Sequence, residues 1–217
     1  MYKFFRFIAV IAAVAFSSLC LSQVTAPKVS LQTNVGEIII ELNTEAAPIS
    51  TANFLGYVNE RFYDGVIFHR VIKDFMIQAG GYRIEMELKP NSKAPIKNES
   101  DNGLKNLKYT VAMARTRVPD SATSQFFINH KDNAFLDGQA GKNGQPGRPG
   151  YAVFGKVVKG MDIVEKIANT QTKSSKQFAN VPVKLISIIK AVEIKNSSTK
   201  TIEKQSPKAV PVSKPKI

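Results

Sequence analysis

The stretch VSLQTNVGEIIIEL, Val29 to Leu42, limits the fold more than any other feature of the chain. Val29 and Leu31 alternate with polar residues, Asn34–Gly36 makes a turn, and Ile38, Ile40 and Leu42 then share one face. Apolar residues at period two line one side of a strand, and two such runs across a short Asn/Gly turn form a β-hairpin. Strand patterns recur in YTVAMAR (109–115), SQFFIN (124–129), YAVFGKVV (151–158) and VKLISIIKAVEI (183–194). Only two segments have helical spacing. One starts near Pro48, with Ile49, Ala52, Leu55 and Val58 expected inward; the other is GMDIVEKIANT, with Ile163, Val164 and Ile167 inward. Many strands with two helices predict an antiparallel barrel or sandwich with helical caps.

The ends of the chain read differently. Residues 1–27 have the pattern of an export signal: Lys3 and Arg6, then an unbroken apolar run from Phe7 to Phe16. Ten apolar residues suit a signal's core, whereas a membrane span needs roughly 20. An exported, periplasmic protein is therefore expected, with no stable membrane insertion once the signal is cleaved. The alternative is membrane attachment through an uncleaved signal or a lipidated Cys20. Cys20 is the only cysteine, so the mature chain would hold no disulfide.

The net charge of +13 is spread: +2 in residues 1–27, +5 in the Lys/Ser/Pro-rich tail 194–217 and +6 over the body 28–193. Without a tight basic cluster, a solvated surface explains this balance better than nucleic-acid binding. The tail is expected to be disordered. The Gly/Pro-rich stretch 137–150 is expected to be a surface loop, since three Gly triplets cannot sustain a triple helix.

The usual catalytic chemistries find little support. With His69 and His130 as the only histidines, a multi-histidine metal site is excluded, and no nucleophile elbow or nucleotide glycine pattern is present. His69 reads as a packed structural residue and His130 as a surface loop residue. One segment is nonetheless unusual: FHRVIKDFMIQAGG, Phe68 to Gly81, sets Arg70 and Gln78 among large apolar residues. Desolvating a guanidinium costs several kcal/mol, so a use for it is expected.

Rotation about an X–Pro amide fits, because it moves no proton and breaks no heavy-atom bond. Its barrier of roughly 18–20 kcal/mol is lost amide resonance. Twisting the amide restores a lone pair on the prolyl nitrogen. A charged donor aimed there stabilises the twisted state more than the planar one, while an apolar cup holds the ring. In SQFFIN, period two puts Gln125, Phe127 and Asn129 on one face and Phe126 and Ile128 on the other.

Four segments, FHRVIKDFMIQAGG, AMARTRVPDSATSQFFIN, NAFLDG and YAVFGKVVKGMDIVEKI, resemble in order the signatures of cyclophilin-type peptidyl-prolyl isomerases, the exported Gram-negative ones most of all. The resemblance implies a mainly β fold, a closed eight-stranded antiparallel β-barrel capped by two α-helices. It also implies activity without metal, nucleotide or covalent intermediate, on proline-containing unfolded or exported polypeptides, by a monomer. Arg70 matches the catalytic arginine and Gln78 its polar partner. Phe75, Met76, Phe127 and Leu136 match the proline pocket. Ala114, Arg115 and Thr116 match the segment that pairs with the bound peptide, and Gln125, Phe135 and Tyr151 match other groove positions.

Three departures stand out. Phe135 replaces a Trp and Tyr151 a His of many eukaryotic relatives, and Lys73–Asp74 replaces a Pro-Gly pair. Without the indole N–H, weak cyclosporin binding is expected. The competing expectation is a proline-peptide-binding chaperone or scaffold with incidental catalysis or none.

Overall fold

The computed structural model describes residues 25–90, 93–139, 141, 147–175 and 178–195. The expected signal, apart from residues 25–27, lies outside them. So do the tail beyond Lys195 and residues 140 and 142–146 of the Gly-rich loop.

Among the described residues, ten strands and two α-helices follow in order. They are β1 (Lys28–Thr33), β2 (Gly36–Leu42), α1 (Pro48–Asn59), β3 (Arg70–Ile72), β4 (Met76–Ala79) and β5 (Thr110–Met113). Then come β6 (Phe126–Asn129), β7 (Val153–Lys159), α2 (Met161–Ala168), β8 (Thr172–Ser175), β9 (Phe178–Pro182) and β10 (Ile188–Ile194). Eight strands form one antiparallel sheet in the order β10-β1-β2-β7-β5-β6-β4-β3, and β8 pairs only with β9.

The opening hairpin forms as its periodicity requires. Leu31 faces Ile38 and Val29 faces Ile40 across the ladder, all four fully buried. Gly36, at φ +143, ends the turn where α2 crosses; a Cβ there would lie 2.3 Å from Ile163 Cδ1. Register shifts at Ile39/Ile40 and at Val111/Ala112 help the sheet curl.

The mainly β class, eight antiparallel strands and two helices stand as expected. The ladder itself does not close, because β3 and β10 remain its ends. The strongly curled half-barrel is bridged there by irregular backbone. Gly65 N–H donates to Ile188 O (2.8 Å), Ile188 N–H to Val66 O (2.8 Å) and Phe68 N–H to Ile186 O (2.9 Å).

The main core fills the concave side. Phe54 of α1 meets Tyr63, Phe126 and Phe154 at ring-centroid distances of 5.2, 5.2 and 5.1 Å. Val164, Ile167 and Ala168 of α2 complete it. The expected face of α1 was partly rotated. Ile49 and Ala52 are exposed and Leu55 is half-buried, while Ser50, Phe54, Tyr57 and Val58 point inward. Ser50 can be buried because Glu99, from a distant loop, accepts from its N–H (2.7 Å) and hydroxyl (2.6 Å). The same carboxylate takes the Ile49 N–H (2.9 Å), so it caps a helix that has no side-chain cap of its own.

Candidate active site

The outward face of β3, β4 and β6 builds the site. In this ladder Arg70 lies opposite Gln78, and Gln78 opposite Phe127. Alternation sends Val71, Ile77, Phe126 and Ile128 into the main core, and Met76 and Phe127 into a second apolar cluster with Ala112, Leu136 and Val153. Above that cluster opens a groove of about 660 Å³. Every sequence-predicted site residue except Thr116 lines it: Arg70, Phe75, Met76, Gln78, Ala114, Arg115, Gln125, Phe127, Phe135, Leu136 and Tyr151.

Within the groove the polar groups form a relay. Arg70 Nη1 donates to Gln78 Oε1 (3.3 Å), and Gln78 Nε2 donates to Gln125 Oε1 (2.9 Å). The guanidinium carbon sits 6.0 Å from the Phe75 ring centroid. Arg70 is half-buried at the rim rather than enclosed, so its cost of desolvation is lower than full burial would impose. Two ring pairs frame the cup beside it. Phe75 and Phe135 stack at 5.6 Å, and Phe127 meets Tyr151 edge-on at 5.6 Å. The cup is apolar and one charged donor stands at its edge.

Arg115 serves the wall. Its guanidinium packs 4.5 Å from the Tyr151 ring and donates to the carbonyls of Gly150, Pro149 and Thr116. Thr116 instead turns toward Ser121, whose Oγ accepts its N–H at 2.9 Å, and it lines a neighbouring depression with Arg117 and Pro119. Its place outside the groove follows from that tight loop.

The groove extends past the predicted residues to His69, Tyr82, Phe178, Ala179 and Asn180. Tyr82 packs between His69, tilted at a ring-centroid distance of 4.6 Å, and Phe178, which it meets edge-on at 5.0 Å. Phe178 and Asn180 come from the β8–β9 hairpin, which carries no clear apolar alternation to reveal it. His69 is 4% exposed, and burial, aided by the Arg70 charge, pushes its pKa down to about 4.

His130 is not a surface residue. It is 5% exposed, its Nδ1 accepts the Asp74 N–H (3.0 Å) and its Nε2 donates to Glu165 Oε2 (2.8 Å). Glu165 arrives on α2, which the local sequence around His130 cannot show. Lys108, then Tyr109 and His130, hold the Glu165 carboxyl down at about 2. The His130 contact supports the Lys73–Asp74 turn, where Asp74 takes φ +56 in place of a glycine. Among the described residues no group of three or more His, Cys, Asp or Glu is placed to hold a metal ion.

Comparison with known proteins agrees with this geometry. Residues 28–193 match the family described as cyclophilin type peptidyl-prolyl cis-trans isomerase/CLD. A peptidyl-prolyl cis-trans isomerase of Acinetobacter baylyi is 54% identical over 79% of this chain and 87% of its own length. Peptidyl-prolyl cis-trans isomerase A of Dickeya dadantii is 50% identical over 87% of this chain and 95% of its own. A Cryptosporidium parvum cyclophilin type isomerase, solved in the presence of the dipeptide Ala-Pro, aligns with a TM-score of 0.60 at 26% identity. That alignment covers 78% of this chain and 99% of the other. The chain belongs to the cyclophilin-type peptidyl-prolyl cis-trans isomerase family.

Proposed function

We propose that this cyclophilin-type peptidyl-prolyl cis-trans isomerase acts on X–Pro bonds of exported polypeptides as they fold, as a monomer and without metal or nucleotide. The observation that carries the reading is the Arg70 guanidinium held by Gln78 at the edge of the Phe75/Met76/Phe127/Leu136 cup. The prolyl ring seats in the cup and the amide lies across Arg70. As the amide twists, its nitrogen gains a lone pair, and the guanidinium donates to it. The bond is strongest at the twisted geometry, so it lowers the barrier rather than deepening the bound ground state. A hundred-thousandfold acceleration needs ~7 kcal/mol, at about 1.4 per tenfold. Charge-assisted donation in a partly dry groove and an ordered ring seat both contribute to that sum.

Export rests on the signal-like pattern of residues 1–27. Slow X–Pro isomerisation limits the folding of many chains, which gives such an enzyme its substrates. Weak cyclosporin binding belongs to the same reading, because Phe135, 61% exposed at the groove edge, offers no N–H. The test is a protease-free isomerisation assay of the mature chain on an X–Pro peptide, with and without Arg70→Ala. Peptide binding without turnover in the wild type would instead make the protein a proline-peptide binder. Cell fractionation checks export, and recovery in the cytoplasm alone would refute it.

A further inference from the structure

Beneath the cup lies a layer of buried amides that the isomerase reading leaves unused. Asn106, Asn129 and Asn133 are 1%, 0% and 2% exposed. Asn133 Nδ2 donates to the Phe75 carbonyl (2.9 Å) and to Asn129 Oδ1 (2.7 Å). Asn129 Nδ2 donates to Asn106 Oδ1 (3.2 Å) and Thr110 Oγ1 (2.9 Å). Asn106 Nδ2 reaches Asp137 Oδ1 (3.0 Å) and the Tyr151 carbonyl (3.3 Å). The Asn133 N–H closes the circuit on the Asn106 carbonyl at 2.7 Å.

The circuit touches each irregular wall of the cup. Phe75 sits at the end of the β3–β4 turn, and its carbonyl also accepts the His130 N–H at 2.9 Å. Phe135 and Leu136 ride the short 3-10 turn Ala134–Leu136 that starts directly after Asn133, whose carbonyl accepts the Leu136 N–H at 2.8 Å. Tyr151 lies just before β7. Met76 and Phe127 are fixed by strand ladders, but Phe75, Phe135, Leu136 and Tyr151 are not. A buried amide network is stiff. Removing the Asn133 donor takes the bond from Asn129 Oδ1 and leaves the Phe75 carbonyl held by the His130 N–H, in a low-dielectric interior where a lost hydrogen bond is costly.

We propose that Asn133 is a positioning residue of the isomerase. By bonding the Phe75 carbonyl from the first residue of the segment that carries Phe135 and Leu136, it sets the spacing between the two sides of the proline cup. This rests on the reading of the groove as the proline site. Asn133 touches no substrate; it acts through Phe75.

The experiment uses the full mature chain and an X–Pro peptide. Asn133→Asp keeps the side-chain shape but turns the donor into an oxygen facing two acceptors. It should raise KM about tenfold with kcat changed by less than about threefold, because ring spacing governs binding of planar and twisted amide alike. Calorimetric Kd for the same peptide should rise in step, so the clamp is readable even if the wild type binds without turnover, which would sink only the isomerase reading. In a Phe75→Ala background the substitution should change KM or Kd by less than about twofold. Asn133→Ser, which shortens the donor, should move KM in the same direction if Asn133→Asp fails to fold. Unchanged KM and Kd in a folded variant would overturn the proposal, as would a full effect without the Phe75 ring. Failure of both variants to fold would also overturn it, since Asn133 would then serve the fold as a whole.

Discussion

Phe126 and Phe127 are adjacent, identical and almost equally hidden, at 0% and 4% exposure, yet they serve two regions with opposite jobs. Phe126 enters the concave core, where Phe54 and Tyr63 meet it edge-on at 5.2 and 5.4 Å. Phe127 turns outward against Met76, Leu136 and the Tyr151 ring, and beyond it lies the open groove. Burial does not tell them apart. What differs is whether the space past the ring is filled with protein or left for a ligand. A filled interior supports itself by mutual packing, whereas a wall facing empty space needs bracing from behind. Here the amides of Asn106, Asn129 and Asn133 supply it.

The largest expected effect separates the two regions directly. Phe126→Ala should lower unfolding free energy by about 3–5 kcal/mol, because its cavity opens in a filled core. Phe127→Ala should lose distinctly less stability but raise KM and lower kcat, since the ring both binds proline and aligns the amide. Denaturant unfolding and steady-state kinetics on both variants would decide; the opposite pairing of effects would mean the two faces are exchanged. Next in size, Arg70→Ala should lower kcat/KM by at least about a hundredfold, or ~3 kcal/mol. Its half-buried rim position predicts little change in the unfolding midpoint, and half of wild-type activity would remove the arginine from the mechanism.

A pH titration of stability sharpens the comparison at His69, which sits between groove and core. Between its ordinary value near ~6.5 and its folded value of about 4, the unfolded chain binds a proton that the folded chain refuses. Stability from this source is therefore full above ~6.5 and declines as pH falls to about 4, by up to ~3 kcal/mol. Glu165 acts lower: its contribution, present above the usual carboxylate range, fades only as pH drops toward about 2. Thermal melts of wild type and His69→Phe across this range should show the upper decline only with the histidine. A wild-type profile flat from pH 7 to 4.5 would contradict its burial as a neutral ring.

The smallest effect belongs to the groove edge. Phe135→Trp should tighten cyclosporin binding about tenfold while leaving turnover nearly unchanged, as the value of one regained donor at an exposed position. Low-nanomolar binding by the wild type would show that position 135 does not control it.

Much of the site was legible in the sequence. Period two pairs Met76 with Gln78 and Gln125 with Phe127, and Arg70 stands out by its apolar company. The roles of these residues came through resemblance, and the ladder register brings them to one face. Phe75, Phe135, Leu136 and Tyr151 came through resemblance, because they ride irregular turns with no period to read. Tyr82, Phe178 and Asn180 stayed hidden. TKSSKQFANVP lacks an apolar stripe, and its hairpin reaches the groove only because it folds back beside β3.

By itself the sequence determined the strands from Val29 onward, their two faces, the existence of both helices and the apolar company of Arg70. Those features rest on neighbours in the chain, whose geometry is set within a few residues. Only tertiary structure decided which face of α1 is buried, why His130 is inside and how the cup is braced. Ser50 goes inward because Glu99 meets it from 49 residues away, Asn53 because the Thr123 carbonyl does so from 70, and His130 because Glu165 does so from 35. A polar group can be buried only where a partner replaces the water it loses, and such partners are brought together by the completed fold.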